Sequence, residues 1–478
     1  MEILLEKRRQ YNTLLLCYNG GRMNRKLLIA IATVIFLILG TYTAIQFAKG
    51  YRPNFDAKEI QGTGLLVVNS VPEGAQVLIN GKLTTATDDT INLPPGEYTV
   101  EIKKDGYISW QKSVHVEAEL VTQANARLFP AVTDVDPLTF TGAMNLTPSP
   151  DGQKVIYAVE ESSIDTKKGL WILDLVGRPL SLSKDPRQIV QNTGGLNFTQ
   201  ALLSWSPDSN QVLAHFPPDS NQSSLFEQNL ILDSTKFSSQ ESLRDATAQL
   251  PVIFSQWEEQ IARKLNDQLS DLPPQVQEIA TASATNLYFS PDEEKLLYTA
   301  TQDAVIPDDL IASLPSSSTQ PEHREIKSGN VYVYDIKEDK NFLILESAKP
   351  AELGEQVTRE MIIDRITPRT FFSQESSPSA FTKLQKETTE ETINAFQAQY
   401  SPRKQPVMWF PDSNHLIIND EEKITIIEYD GTNPDTVYSG ALEEGFVYPW
   451  PDGSKLLILT SLNSESTLSP NIYAIILK

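Results

Sequence analysis

Cysteine is nearly absent from this sequence. Cys17 is the single cysteine among 478 residues, which excludes an intramolecular disulfide and any metal site built on several cysteines. Hydrophobic residues make up 40% of the chain, enough for the cores of two or three domains. The cysteine count alone does not identify the cellular compartment.

Basic residues are also few. The chain has 40 Lys and Arg against 62 Asp and Glu, which gives a net charge of −22. Residues 1–26 hold six basic and two acidic residues, so the rest of the chain carries −26. An acidic body of this kind repels the phosphates of nucleic acids, and we expect no DNA or RNA partner.

Motifs for catalysis and cofactor binding are missing as well. No His-x-x-x-His, Gly-x-Ser-x-Gly, Walker loop or Gly-x-Gly-x-x-Gly occurs. Acidic pairs such as Asp134 and Asp136 are interpreted as solvated loop residues. The four histidines are isolated in the sequence: His115, His215, His323 and His415. We therefore predict no catalytic residue, no metal site and no cofactor.

One uncharged apolar run, Leu27–Phe47, is long enough to cross a membrane. Basic residues concentrate before it, which favours a transmembrane helix at 27–48 with a short basic cytoplasmic tail at 1–26 and the body outside. A cleavable signal peptide is the alternative, although its apolar region would be shorter and Thr41–Ala44 is a poor cleavage site. Met23 is an alternative start, in which case residues 1–22 are not translated.

Five short stretches of nearly the same sequence recur after residue 130, and each is followed by a strand-like apolar run. These Pro-Asp turns, numbered 1 to 5, are Pro148–Gly152, Trp205–Ser209, Phe289–Glu293, Phe410–Ser413 and Trp450–Gly453. Proline presets φ, aspartate binds the backbone two residues later, and glycine or serine follows. The repeat predicts a β-propeller at 130–478.

A second strand type follows each turn. The predicted strands are Leu170–Leu175, Asn229–Asp233, Val331–Asp335, Ile424–Asp430 and Asn471–Leu477. One turn and one such strand make a blade, which gives five. Turns 4 and 5 lie 40 residues apart, the length of one blade, whereas the other gaps of 57, 84 and 120 residues leave room for insertions or a degenerate sixth blade.

The turns resemble the "S-P-D-G" turn of the WD40-like, TolB-type propeller repeat. The resemblance covers the chain from Thr133 to the C-terminus with gaps. Glu293 and Ser413 depart from the most usual residues, and turns 4 and 5 lack the serine before proline. The resemblance implies a propeller of about five to six blades, a fold that usually serves recognition.

A small all-β domain is predicted at 64–129, after a polar linker at 49–63. Strands at Gln76–Ile79 and Glu97–Lys103 alternate with turns, of which Asn80-Gly81 is a strong hairpin signal. Pro72-Glu73-Gly74-Ala75, Leu93–Tyr98 and Asp105-Gly106-Tyr107 resemble the PEGA domain. The resemblance implies an immunoglobulin-like sandwich on an envelope protein, used for binding or as a spacer.

Two insertions, near 238–284 and 351–406, interrupt the β pattern. In the first, Ser255 and Glu258 form a capping box, and Trp257 begins one apolar helical face that continues to Leu269 before Pro273-Pro274. In the second, Phe396 and Tyr400 share a helical face. We predict Trp257, Phe396 and Tyr400 as aromatic binding residues. The alternative is that these rings pack on the blade rim.

Three functions remain open. The favoured one is a single-pass, membrane-anchored extracytoplasmic scaffold whose propeller binds an envelope protein, peptide or glycan without catalysis. A propeller hydrolase or lyase acting on cell-envelope polysaccharide or peptide is the alternative, which would need convergent histidines, acids or metal ligands from several blades. The third is a structural component in which the sandwich spaces the propeller from the membrane.

Overall fold

Strands form most of the regular structure in the computed structural model. It describes residues 25–48, 52–54, 59–160, 165–176, 186–193, 195–216, 228–312, 319–346, 407–420, 422–462 and 469–478. The chain divides into two compact units. The smaller comprises residues 1–66, 90–96 and 115–122, and the larger comprises residues 67–89, 97–114 and 123–478.

The smaller unit contains the predicted apolar helix. Helix α1 (Arg25–Ala48) is long and apolar enough to cross a membrane, and none of its stretch from Leu28 to Ile45 is buried. The predicted linker contains a short hairpin, β1 (Arg52–Asn54) and β2 (Glu59–Gln61). The helix prediction at 27–48 is confirmed as secondary structure.

Residues 64–129, called the PEGA-like segment below, are all strands and turns. Their strands are β3 (Gly64–Val71), β4 (Gln76–Ile79), β5 (Lys82–Ala86), β6 (Asp89–Leu93), β7 (Gly96–Lys103), β8 (Trp110–Val116) and β9 (Val121–Arg127). They form a four-stranded sheet in the order β5-β4-β7-β8 and a three-stranded sheet in the order β6-β3-β9. Asn80 and Gly81 both have positive φ, at 50° and 78°, as the predicted hairpin requires.

Five antiparallel sheets follow, each with one Pro-Asp turn between an edge strand and its neighbour. Sheet 1 contains β11 (Met144–Pro148), β12 (Lys154–Val159), β13 (Gly169–Asp174) and β14 (Arg187–Gln191). Sheet 2 contains β15 (Leu202–Trp205), β16 (Gln211–Phe216) and β17 (Gln228–Asp233). Sheet 3 contains β18 (Ala284–Phe289), β19 (Lys295–Ala300), β22 (Val331–Asp335) and β23 (Lys340–Leu345).

The last two sheets differ in how the chain builds them. Sheet 4 contains β24 (Val407–Trp409), β25 (His415–Asp420), β26 (Lys423–Glu428) and β27 (Asp435–Ser439). Sheet 5 joins β10 (Val135–Pro137) to β30 (Asn471–Ile476), β29 (Lys455–Thr460) and β28 (Val447–Pro449). Strand β10 thus pairs with the last strand of the chain. A separate two-stranded sheet consists of β20 (Ala304–Val305) and β21 (Glu325–Ile326).

The predicted strands after each Pro-Asp turn are confirmed, with ends shifted by one or two residues. The residue directly after the aspartate, called the fourth position of the turn from here on, has a left-handed backbone in every turn. Its φ lies between 59° and 70°, at Gly152, Ser209, Glu293, Ser413 and Gly453. A non-glycine residue pays about 1–2 kcal/mol for this conformation. At Gly453 a side chain would also collide, because an added Cβ would lie 2.9 Å from the Phe410 ring.

The first helical insertion is confirmed, but its predicted start is wrong. Helix α2 (Leu250–Ser270) begins five residues before Ser255, with Pro251 in its first turn. Proline suits that position because its missing N–H would be unpaired there. A second helix that the sequence did not predict, α3 (Pro274–Ala282), follows directly. The second insertion, 351–406, lies outside the described residues.

Apolar cores lie between consecutive sheets of the larger unit. Separate clusters join sheets 5 and 1, sheets 1 and 2, sheets 3 and 4, and sheets 4 and 5. Between sheets 2 and 3 the helices take part instead. One cluster joins α2 to sheet 2, and another joins the end of α2 and all of α3 to sheet 3. Alternate residues of one strand serve opposite faces, as Val212 and Leu213 do in β16.

Candidate binding surface

The Pro-Asp turns are stabilised by side chains within each turn. In turns 1, 2 and 3, a serine hydroxyl donates to the carboxylate of the aspartate two residues later, at 2.5 Å each time. The same oxygen accepts from a backbone N–H five residues ahead, at 2.9–3.0 Å. These serines are Ser149, Ser206 and Ser290. The aspartates of these turns are therefore held as acceptors within the turn.

Turns 4 and 5 lack that serine, and other donors replace it. His415 donates from Nδ1 to Asp412 at 2.9 Å in turn 4. The hydroxyl of Ser454 donates to Asp452 at 2.5 Å in turn 5. In turn 4 the hydrogen bond and the charge of His415 oppose burial and leave the pKa of Asp412 below its ordinary value. Sequence departures from the repeat are thus compensated locally.

Neighbouring turns contact each other. Ser209 accepts from the backbone N–H of Asp151 at 3.0 Å, which joins turns 1 and 2. Ser413 accepts from the N–H of Asp292 at 3.1 Å and joins turns 3 and 4 in the same way. Serine at the fourth position therefore has a role that glycine cannot fill. The turns of adjacent sheets form one continuous edge at these two places.

The PEGA-like segment covers the turns of sheets 4 and 5, through residues that all belong to the larger unit. Arg127, the last residue of β9, approaches Asp412 at 3.5 Å and donates to the carbonyl oxygen of Gly453 at 2.7 Å. Its guanidinium lies 4.8 Å from the centre of the Phe410 ring. Phe129 packs edge-on against the same ring, with centroids 6.0 Å apart.

A buried ionic contact joins β8 to sheet 4. Lys112 Nζ lies 2.7 Å from Glu428 Oε2 and also contacts Asp430. The indole N–H of Trp110 donates to the other oxygen of Glu428. We call Trp110, Lys112, Glu428 and Asp430 the Lys112 seam. Trp110 and Lys112 are more than 300 positions from Glu428 in the sequence, so no local pattern could predict the seam.

Two tyrosines on edge strands of sheets that are not neighbours lie within electrostatic reach of each other. Tyr288 is in β18 of sheet 3 and Tyr448 is in β28 of sheet 5. Burial, and then the proximity of Tyr288 and Asp151, raise the pKa of the Tyr448 phenol above its ordinary value. An added Cβ at Gly152 would lie 3.2 Å from that phenol oxygen. Tyr288 remains 42% exposed.

Of the three predicted binding residues, Trp257 lies in the described part of the chain. Trp257 is 5% exposed and packs with Leu213 and Leu250 between α2 and sheet 2. A direct contact of the indole with a partner would require α2 to leave the sheet, and a binding role for Trp257 stays a prediction. Phe396 and Tyr400 lie outside the described residues.

Two of the histidines, His215 and His415, are held by neighbouring side chains. His215 is fully buried, with Nδ1 at 2.7 Å from Asn229 Oδ1. His415 is held by Asp412 and by the rings of Phe129 and Phe410. In the described part of the chain, no three His, Cys, Asp or Glu side chains form a group that could hold a metal ion.

Sequence reasoning missed the tyrosine pair and the seam. Tyr288 and Tyr448 both lie three residues before the proline of their turn, and this shared offset was a signal that alignment of the repeats could have found. Lys112 and Glu428 carry no such signal.

Comparisons with known proteins identify part of the chain. Residues 63–131 match the model of the PEGA domain, which confirms the resemblance for that segment. No curated protein sequence matches the chain. Among solved structures, a putative TolB from Agrobacterium tumefaciens is similar at 12% identity and a TM-score of 0.20, over 70% of this chain and 78% of that chain.

Two further solved structures are similar at the same level. TolB from Acinetobacter baumannii has 12% identity and a TM-score of 0.21, over 79% of this chain and 59% of its own. An oligogalacturonate lyase from Vibrio parahaemolyticus has 8% identity and a TM-score of 0.23, over 80% of this chain and 86% of its own. Scores of this size carry no argument about function.

Proposed function

We propose that this chain is a membrane-anchored, extracytoplasmic binding protein without catalytic activity, whose five sheets are the blades of a propeller. Helices α2 and α3 take the sixth position, between sheets 2 and 3. The succession of apolar cores supports this arrangement, because every sheet packs on two neighbours, counting the helices as one. The approach of Tyr288 to Tyr448 across sheet 4 supports a central opening lined by edge strands.

The proposed binding surface consists of turns 1 and 2, which contact each other, together with turn 3 and the tyrosine pair. The single observation that carries it is that Tyr288 is 42% exposed and lies within electrostatic reach of Tyr448. Turns 4 and 5 contact the PEGA-like segment, and they are therefore less accessible to a ligand. A tyrosine ring offers both an apolar face and a hydroxyl, which suits an envelope protein, peptide or glycan.

Anchoring is proposed from α1 and from the charges around it. Basic residues at the start of the helix favour a cytoplasmic N-terminus, and the body would then lie outside the cytoplasm. The match of residues 63–131 to the PEGA domain is consistent with an envelope protein. Together the two observations support the proposed localisation at the cell membrane.

The test compares Tyr288 with Phe140, an 81% exposed aromatic in the connection between β10 and β11. A photoreactive residue at each position, in the full chain in living cells, would report direct contacts. In parallel, full-length protein would be sedimented with purified cell-wall polysaccharide. We expect contact or co-sedimentation that Tyr288→Ala weakens by about 1–2 kcal/mol, roughly five- to thirtyfold, and that Phe140→Ala leaves unchanged.

Equal behaviour of the two positions would remove the tyrosine pair as the binding surface. The polysaccharide assay also tests the enzymatic alternative. Release of soluble fragments by the full-length protein, lost on mutation of an acidic residue of turns 1 to 3, would favour the hydrolase or lyase over the binding protein.

A further inference from the structure

The Lys112 seam brings an amine and two carboxylates together in a site largely closed to solvent. The side chains of Lys112, Glu428 and Asp430 are 14%, 8% and 0% exposed. Trp110, which covers the site from β8, is itself 3% exposed. Charges this well buried are costly unless they are paired, so the three groups are held against each other.

The hydrogen bonds give the two carboxylates different surroundings. Oδ1 of Asp430 accepts from the backbone N–H of Thr432 at 3.2 Å and from its hydroxyl at 2.6 Å. Oδ2 faces Lys112 Nζ and has no other donor among the residues that the structure describes. Glu428 is oriented by Trp110 and by Asn433, whose amide donates to Oε1 at 2.9 Å. Its Oε2 accepts from Lys112 Nζ at 2.7 Å, and the Thr432 hydroxyl lies 3.4 Å from the same oxygen.

We propose that Lys112 and Asp430 condense to a covalent amide that fastens the PEGA-like segment to sheet 4. The reaction needs no external reagent, because the ammonium and the carboxylate together contain the atoms of the amide and one water. Glu428 moves protons, and the two donors of Thr432 stabilise the developing negative charge on Oδ1. This inference does not depend on the proposed function of the tyrosine pair.

One proton passes from Nζ through Glu428 to Oδ2 of Asp430, which leaves a neutral amine and a neutral carboxylic acid. Nζ then bonds to Cγ, and Oδ1 carries the negative charge between the N–H and hydroxyl of Thr432. Glu428 takes the second proton from the nitrogen and delivers it to Oδ2, and the C–Oδ2 bond breaks as water leaves.

Contact between the reacting groups favours this reaction, because groups fixed in contact react with effective molarities of about 10⁵ M or more. Burial alone would also favour the neutral amine and acid. Burial lowers the pKa of Lys112, but Glu428 and Asp430 more than offset this and leave it raised, so the first proton transfer is the step that requires Glu428.

The experiment uses the full chain, purified from membranes in detergent and digested with trypsin. Mass spectrometry should find a branched peptide joining β8 to the segment that contains Asp430, lighter than the sum of its two arms by one water. Trypsin should fail to cleave after Lys112. Lys112→Arg keeps the charge but provides no amine, and the branched peptide should disappear.

Glu428→Gln is the mechanistic control, because it keeps the size of Glu428 and an amide oxygen that can accept from Trp110 and Asn433, but it cannot accept a proton. The branched fraction should fall to a small part of the wild-type value. Circular dichroism of both variants shows whether they fold. Unlinked Lys112 and Asp430 peptides from folded wild-type protein would overturn the proposal and leave an ion pair, and full linkage in folded Glu428→Gln would overturn the role of Glu428.

Discussion

Asp435, at the start of β27, has the clearest unfavourable charge in the described chain. Burial raises its pKa from 3.8 to about 6, with Glu428 adding to the shift and His415 opposing it. The folded state therefore prefers the protonated form more than the unfolded state does. The contribution of Asp435 to stability is favourable below about pH 4 and is lost as the pH rises through 6.

We predict that Asp435→Asn stabilises the protein at pH 8 and has little effect at pH 4. A shift of this size corresponds to about 1–3 kcal/mol for a partly exposed carboxyl. Unfolding by urea, followed by tryptophan fluorescence at both pH values, measures it. Asp136→Asn, on an exposed residue of β10, is the control and should change neither midpoint. An Asp435→Asn midpoint below that of wild type at pH 8 would show that the carboxylate is needed there.

Residues at the fourth turn position show how one backbone requirement accommodates different side chains. Gly453 is required by space, because Phe410 and Arg127 occupy the position of a Cβ. Ser209 and Ser413 instead use their hydroxyls to join one turn to the next. Glu293 accepts a left-handed backbone and takes a hydrogen bond from Gln268 of α2 at 2.7 Å. The sequence predicts the turn, but the choice of residue at its fourth position depends on contacts with residues elsewhere in the fold.

At the scale of elements, α2 connects sheet 2 to sheet 3. Trp257 packs on Leu213 of sheet 2, while Leu269, at the other end of the helix, packs on sheet 3. Its outer face is polar, apart from Val252 at 61% exposure. Because the apolar face of α2 packs on sheet 2 at one end and on sheet 3 at the other, the helix stabilises both sheets.

We predict that Trp257→Ala destabilises the protein by about 3–5 kcal/mol, the cost of removing a large buried side chain. Val252→Ala, on the same helix but exposed, should stay within about 0.5 kcal/mol of wild type. Urea unfolding gives the magnitudes, and hydrogen exchange should show the loss in sheet 2. If Trp257→Ala abolished ligand capture while keeping full stability, the indole would instead be the binding anchor predicted from the sequence.

The elements that the sequence predicted are those with strong local signals. The Pro-Asp turns and the strands after them were found because proline, aspartate and a positive φ are local requirements. Strands β5, β6 and β9 were missed, since Thr, Gln and Asn occupy many of their positions and apolar alternation is weak. The capping box at Ser255 and Glu258 predicts a later start of α2, whereas the helix begins at Leu250 with Pro251 in its first turn.

For the whole molecule, the sequence predicted two kinds of β domain but not the contacts between residues far apart in the chain. Arg127 meets a turn that is 326 positions away, and only the folded chain brings them together. The tyrosine pair likewise depends on three sheets. The proposed membrane topology is also a property of the whole molecule, and the chain offers a natural probe of it.

Cys17, the single cysteine, precedes the apolar helix and reports the side on which the N-terminus lies. We predict that a membrane-impermeant thiol reagent leaves Cys17 unlabelled in cells whose outer layer has been opened, because basic residues at the start of α1 hold the N-terminus in the cytoplasm. In a Cys17→Ser background, Val132→Cys places one thiol on the body at a position that is 84% exposed, and it should be labelled. Lysed cells provide the control, since Cys17 should then react if translation begins at Met1 and should be absent if it begins at Met23. Labelling of Cys17 and protection of position 132 in unlysed cells would reverse the orientation and place the proposed binding surface in the cytoplasm.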